Sequence, residues 1–411
     1  MRLPADPSRH PGSTYAGRVS RNTAFLAAAC AFVFVFAAAG TPIPLYNTYR
    51  LEDGLTNSDL ALVSVAYFIA AASSLLIGGR LSNFVGRRPV ALAALLSAAL
   101  GSLILSTLHS VTPMLIGRVL QGLACGITSS SLGAYVVDTA EGKPRWLTAA
   151  ITGSAPMLGI PLGALSAGAL VEWGPAPRLL VYALMAIVLL ALAVVIALSP
   201  ETVARRPGSL ASLRPHMQIP RGSGQLVVAA GAAAVATWSL GGFYQAFGPS
   251  VTAEHLGTTS PLVTAAIFSS VMGLNPLGGP LSARFSPVVS VRLGMGLFIL
   301  AVTSIMFNLW AGWVLPFIGT SLVVGIAQGL ASTGAIRALL DNAGIEERAG
   351  LLASLYFISY SGSAIPGMVA SSLAGHFDLF RIALGYALLG ILAALVAMAT
   401  IKNPAAKPPG I

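Results

Sequence analysis

Gly78-Gly79-Arg80-Leu81-Ser82 and Gly278-Gly279-Pro280-Leu281-Ser282 are two copies of one short segment, 200 residues apart. A second pair follows in the same order, Gln121-Gly122-Leu123-Ala124 and Gln328-Gly329-Leu330-Ala331, 207 residues apart. Two matched signatures at nearly one separation indicate a duplicated half. The sequence around them says what kind of half it is. The 411-residue chain is 55% hydrophobic and only 9% charged, against roughly 25% charged residues in soluble domains. Apolar runs of about 20 residues, each long enough to cross a bilayer's hydrocarbon, recur along its whole length. The 44 glycines suit close helix packing in lipid, and the runs lack the alternation of barrel strands. The expected fold class is an all-α integral membrane protein with twelve transmembrane helices in two pseudo-symmetric six-helix bundles.

The spans fall near 21–44, 58–79, 89–109, 112–138, 146–170 and 177–199, then 225–249, 260–281, 288–309, 311–339, 347–374 and 377–401. Residues 21–199 therefore form an N-terminal bundle and 225–401 a C-terminal bundle. Residues 200–224, with Pro200, Arg205, Arg206, Pro207, Arg214 and Pro215, read as a basic, proline-broken linker. Residues 1–20 and 402–411 read as tails. Ala37-Ala38-Ala39-Gly40 has the look of a leader cleavage site, but removal of span 1 would break the parity of the halves, so the span is expected to stay.

Charge sets the orientation. Of the 23 Lys and Arg, only Arg50, Arg178 and Arg381 fall on one side, Arg118 lies within a span, and the rest gather on the other side with both termini and the linker. Under the positive-inside rule that side is the cytoplasm, in a cell membrane crossed many times. The net charge of +10 thus has a topological reason and calls for no nucleic acid. Cys30 and Cys125 have no metal-ligand spacing and are expected as small buried side chains. No phosphate-binding loop, metal cluster or nucleophile elbow occurs, so neither an enzyme nor a cofactor is expected.

The segment Gly78–Pro89 joins spans 2 and 3: glycines for close approach, then the paired guanidinium groups of Arg87 and Arg88. It resembles the loop 2–3 signature of the major facilitator superfamily through Gly79, Leu81, Ser82, Gly86, Arg87 and Arg88. Asn83 stands where that pattern has Asp, and Phe84 where a basic residue is frequent. The resemblance implies a latch of the cytoplasmic side in the outward-facing state. Asn83, without a charge, is expected to act through hydrogen bonds at a helix terminus. Asp138, at the end of span 4, is placed to pair with Arg87 or Arg88. Asp341, at the end of span 10, is its counterpart, with Arg284 and Arg292 between spans 8 and 9. Solvation of helix ends is the alternative for both acids.

Arg118, Gln121 and Gly122 resemble the same family's span 4 signature, in which the arginine is implicated in proton-coupled exchange. Arg118 and Gln121 share one helix face. An arginine in lipid is costly and faces a polar interior, unless it snorkels to the interface. In span 5, Gly153, Pro156, Gly159, Pro161 and Gly163 resemble a degraded antiporter motif, and Gly159, Pro161 and Gly163 are expected to bend the helix. Acidic residues are missing from the middle of every span. Tyr67, Tyr135, Trp238, Tyr244, Gln245, Asn275, Gln328, Tyr356 and Tyr360 are candidates for a cavity of aromatic and neutral polar groups, suited to an apolar or amphipathic solute. Interfacial anchoring is the alternative for each aromatic.

The resemblance implies two bundles rocking about a central cavity, with spans 1, 4, 7 and 10 lining the path. The partners it implies are a small-molecule substrate, protons as coupling ion and the lipid bilayer, with the chain acting as a monomer. Export of drugs or metabolites by proton antiport is the leading expectation. Uptake of a sugar or organic acid by proton symport is the alternative within transport, and a non-transporting scaffold or sensor the alternative outside it.

Overall fold

The computed structural model describes residues 18–215, 217, 223–344 and 347–402. Most of the expected N-terminal tail, residues 403–411 and linker residues 216 and 218–222 lie outside the described residues. Twelve helices carry the fold: α1 Arg21–Gly40, α2 Asn57–Gly78, α3 Arg87–Ser106, α4 Val111–Thr139, α5 Arg145–Trp173, α6 Pro177–Leu198, α7 Gly224–Glu254, α8 Pro261–Gly273, α9 Pro287–Ala311, α10 Val314–Asn342, α11 Arg348–Leu373 and α12 Leu379–Thr400. Polar caps mark several re-entries into the apolar layer. Thr56 and Asp59 form a reciprocal capping box at the start of α2, and Ser20, Ser260, Ser286 and Asp378 each accept a first-turn N–H of their helix. Outward faces are apolar, with Leu100, Leu162, Leu300 and Leu392 exposed. Among the described residues, eleven helical stretches are long and apolar enough to cross a membrane. The remaining long helix, α11, is diluted by Ser354, Ser359, Ser361, Ser363, Gly362 and Pro366.

Two stretches and one side chain differ from the sequence reading. The first span does not end near residue 44. After Gly40, the prolines at 42 and 44 force a short 3-10 turn, Ile43–Leu45, and helix resumes over Tyr46–Asp53. The eighth span is not continuous. Pro276 has no N–H to give, so α8 breaks into the 3-10 turn Asn275–Leu277 and a short helix, Gly278–Ser282. Cys30 is exposed on the outer face of α1, whereas Cys125 is buried.

The duplication inferred from two short motifs extends to the packing. In the N-terminal bundle α1 packs on α4, α5 and α6, α2 on α4, and α3 on α4 and α6; each pair has its counterpart six helices later. Two seams join the bundles, α2 against α11 and α5 against α8. The end of the molecule bearing residues 79–87 and 139–145 and the described part of 200–223 is called the linker end here, the opposite one the far end.

Polar contacts between the bundles gather at the far end. Arg50 is paired with Glu254, Nη2 to Oε1 2.8 Å. Ser250 Oγ donates to Asn57 Oδ1 at 2.6 Å. The hydroxyls of Ser58 and Ser371 each donate to the other's carbonyl, at 2.7 and 2.9 Å, and Ser260 Oγ donates to Glu172 at 2.8 Å. Arg178 ties α6 to the end of Tyr46–Asp53 through a forked contact with Asp53, at 2.7 and 3.1 Å.

Candidate functional site: a cavity between the bundles

Between the bundles lies a cavity of about 350 Å³, within the size range of small-molecule sites. At its core are Tyr67, Trp238, Gln245, Asn275, Gln328 and Tyr360. Tyr356 also lines it and is 44% exposed. Other walls come from the linker-end turns of the helices, among them Ser129, Thr152, Gly153 and Ile336. With the far end bonded shut, the cavity faces the linker end. Two expected members lie elsewhere. Tyr135 is buried near the linker end, its hydroxyl donating to the Pro200 carbonyl at 2.5 Å. Tyr244 points into the C-terminal bundle, 2.6 Å from Ser321 Oγ and packed on Phe317. The lining also exceeds the expected helices: besides α1, α4, α7 and α10, it draws on α2, α5, α8 and α11. No Asp or Glu is among the residues that line it.

The repeated Gln-Gly pair has one job in both bundles. Gln121 Nε2 donates to the Ala38 carbonyl of α1 at 2.8 Å. Gln328 Nε2 reaches the Thr237 carbonyl of α7, the counterpart of α1, at 3.5 Å. The glycine that follows lets the second helix of each bundle close in. A Cβ on Gly122 would overlap the Tyr67 carbonyl of α2, and one on Gly329 the Asn275 carbonyl beside α8. The break after Gly40 explains why α1 has carbonyls to offer: Pro42, four residues after Ala38, has no N–H to satisfy it.

Arg118 belongs to the first copy only; residue 325, 207 further on, is Gly325. Arg118 does not snorkel. It is fully buried, behind the cavity wall, with its guanidinium carbon 4.3 Å from the centroid of the Tyr67 ring. Its Nη1 donates to the Ala39 carbonyl at 2.7 Å and to Gln121 Oε1 at 2.9 Å. Nε and Nη2 have no hydrogen-bond partner, and among the described residues no carboxylate pairs with it. A buried cation held by neutral acceptors alone is an expensive arrangement.

At the linker end, the loop after α2 is bound into its own bundle. Arg87 Nε donates to Asp138 Oδ2 at 3.0 Å, and its Nη1 to Ser82 Oγ at 2.7 Å and Asn83 Oδ1 at 2.6 Å. Asn83 thus acts on the Arg87 side chain and not on a helix terminus. The terminus of α3 is taken by a residue the sequence reading missed: Glu201 accepts the backbone N–H of Arg87 at 2.8 Å and of Arg88 at 3.1 Å. A carboxylate there meets the positive end of the helix dipole. Gly86 has φ +109° and no room for a Cβ beside Glu201. Arg88 donates to the Ser199 carbonyl at 3.1 Å, and Thr202 Oγ1 to Asp138 at 3.0 Å. Gly79 simply caps α2. The signal for Glu201 was an acid directly after Pro200, at the end of a span.

The second copy of that loop is held differently. Among the described residues Asp341 and Arg284 have no ion pair. Arg337 instead donates to the Ser282 and Phe285 carbonyls at 2.6 and 3.2 Å. In α5, the helix runs unbroken through Pro156 and Pro161, and two of its glycines serve close approach to α1: a Cβ on Gly159 would overlap the Val33 carbonyl, one on Gly163 that of Ala37.

Known proteins resemble this arrangement. The structure is similar to that of a D-xylose-proton symporter, with TM-score 0.71 and 16% identity over 94% of this chain and 98% of that one. In sequence, the chain is 30% identical over 125 residues to the multidrug resistance protein MdtL of Klebsiella pneumoniae, covering 30% of this chain and 32% of the relative. It is 36% identical over 86 residues to the class C tetracycline resistance protein of Escherichia coli, covering 21% and 20%. The chain thus matches about a third or less of the length of these curated relatives. The family model described as Major Facilitator Superfamily matches residues 24–274. More than half of the chain lies within that match, its helices make the duplicated twelve-helix fold, and the protein belongs to the major facilitator superfamily of membrane transporters.

Proposed function

We propose that this transporter exports small apolar or amphipathic organic molecules from the cytoplasm in exchange for protons, by rocking its two bundles about the central cavity. The observation that carries this reading is the lining of that cavity, with aromatic rings and neutral amides and no carboxylate. Such walls hold apolar surface and a few hydrogen-bonding groups, and leave a multiply charged solute without counter-ions. The positive-inside rule sets the linker end in the cytoplasm of a cell membrane, with both termini on that side, so the cavity loads from within. The matched stretches of drug-resistance proteins agree with export. Arg118 is assigned to coupling. It is buried, charged and has two guanidinium nitrogens without acceptors, so its balance changes when a proton or substrate alters its surroundings.

The experiment is accumulation of a panel of fluorescent and labelled compounds in pump-deficient bacteria making the wild type or the Arg118→Gln variant, with and without protonophore. Export by proton antiport predicts lower accumulation in wild type, restored by protonophore and by the substitution. Higher accumulation in wild type would replace export by uptake. Lower accumulation that ignores the protonophore would remove proton exchange from the reading.

A further inference from the structure

The two seams between the bundles are not alike. At the α5–α8 seam, Gly168 lets α8 approach so closely that a Cβ there would stand 2.7 Å from that of Ala265. At the α2–α11 seam the helices touch at the far end, where Ser58 and Ser371 exchange hydrogen bonds. They touch again at Gly367, where a Cβ would stand 2.7 Å from Val65 Cγ2. Toward the linker end a side groove of about 120 Å³ opens between Ile69 and Ser73 of α2 and Phe357 and Ser361 of α11. Its size approaches the ~150 Å³ that holds a benzene ring. Ile69 is 47% and Phe357 41% exposed, so the mouth lies on the apolar outer face, the one that meets lipid. The inner wall is formed by Phe68 and Tyr360, and both of these rings also line the central cavity.

We propose that this groove is a side entrance, through which amphipathic solutes dissolved in the bilayer pass between α2 and α11 into the central cavity. The proposal rests on the cavity being the substrate site and adds the route and the chemistry of what takes it. Location settles the occupant: a groove opening onto the hydrocarbon layer is filled by acyl chains or by solutes dissolved among them. The path inward stays apolar, since the Trp238 ring stands 4.8 Å from that of Tyr360. It also ends at a polar group. Gln245 lines the cavity, is 3% exposed and has an Nε2 with no hydrogen-bond partner. The solute that fits has an apolar chain or ring and a hydrogen-bond-accepting, uncharged head. A soluble, strongly hydrated solute would gain nothing from this route.

The test uses the full chain with Trp238 as its sole tryptophan, the other four (Trp146, Trp173, Trp310 and Trp313) being replaced by Phe. It is reconstituted in phosphatidylcholine vesicles with plain or brominated acyl chains, bromine being a contact quencher of indole. The expected result is loss of Trp238 emission in brominated vesicles, relieved by Ser73→Phe on α2 and by Ser361→Phe on α11, each of which fills the groove. Two plugs on opposite helices guard against a variant that fails to fold. Equal emission in both lipids would overturn the proposal, as would quenching that neither plug relieves. The readout needs no transport, so its failure and that of the export reading are separable.

Discussion

Arg50 and Glu254 lie 204 residues apart in the chain and meet at 2.8 Å across the gap between the two bundles. The arginine extends from the helix Tyr46–Asp53, beyond the proline break that ends α1, and the carboxylate from the last residue of α7. These two segments are the corresponding ends of the first helix of each bundle. The pair therefore forms a bond between pseudo-symmetric elements that must separate whenever the far end opens.

Removing that bond should favour the far-end-open state. The side chains retain 22% and 41% exposure, so the pair contributes about 1 kcal/mol at most, enough to move a two-state ratio about fivefold. Spin labels at Leu51 and Leu315, both exposed near the far end, would report it. Glu254→Gln and Arg50→Gln should each enlarge the long-distance component, and high salt should do the same to wild type. A distribution unmoved by either substitution would show that the serine contacts alone hold the far end.

The Arg118 site separates function from stability. Replacing Arg118 by Gln removes a buried cation whose desolvation costs several kcal/mol and is only partly offset by two neutral acceptors. The thermal midpoint of Arg118→Gln should therefore equal or exceed that of wild type, while drug accumulation rises to the level of empty cells. Arg118→Lys keeps the charge but loses the guanidinium plane that lies over the Tyr67 ring, and should recover little transport. A variant that unfolds early would make Arg118 a structural residue.

Much of this was legible before any coordinates. Span-length apolar runs and two repeated short motifs are enough for paired bundles, because helix length and duplication are properties of the linear pattern. Arg118 was legible as an anomaly, a charge within an apolar run. What the pattern could not carry was which face a residue occupies in a helix apolar on all sides. Tyr135 and Tyr244 resemble Tyr67 and Tyr360 in sequence context, yet they bond to Pro200 and Ser321 inside their own bundles. Pairings across long separations were equally hidden. Glu201 lies in the linker by sequence but caps α3, and the Arg50–Glu254 bond depends on how two bundles dock.

The repeated glycines should respond alike in the two halves. Gly122→Ala would push a methyl into the Tyr67 carbonyl, and Gly329→Ala into that of Asn275. Backbone atoms cannot yield as a flexible side chain does, so each should cost about 1–3 kcal/mol. Gly296→Ala, on α9 with open space around it, should be neutral or gain about 0.5–1 kcal/mol from the better helix former. Unfolding midpoints in detergent would check all three. Equal midpoints for Gly122→Ala and Gly296→Ala would mean that the α2–α4 contact relaxes without cost.

The linker-end carboxylates should divide their labour. Glu201 bonds to main-chain N–H groups, so Glu201→Ala removes the cap of α3 and costs about 1 kcal/mol, raising hydrogen exchange at the amides of Arg87 and Arg88 about fivefold. Asp138 bonds to the side chains of Arg87 and Thr202; Asp138→Asn should leave those two amides protected and loosen the Arg87 side chain instead. Among the described residues none of these bonds reaches the C-terminal bundle, so in the far-end-closed state they stiffen one bundle and do not latch two. Exchange at the two amides that rises equally in both variants would show that Glu201 and Asp138 act as one unit.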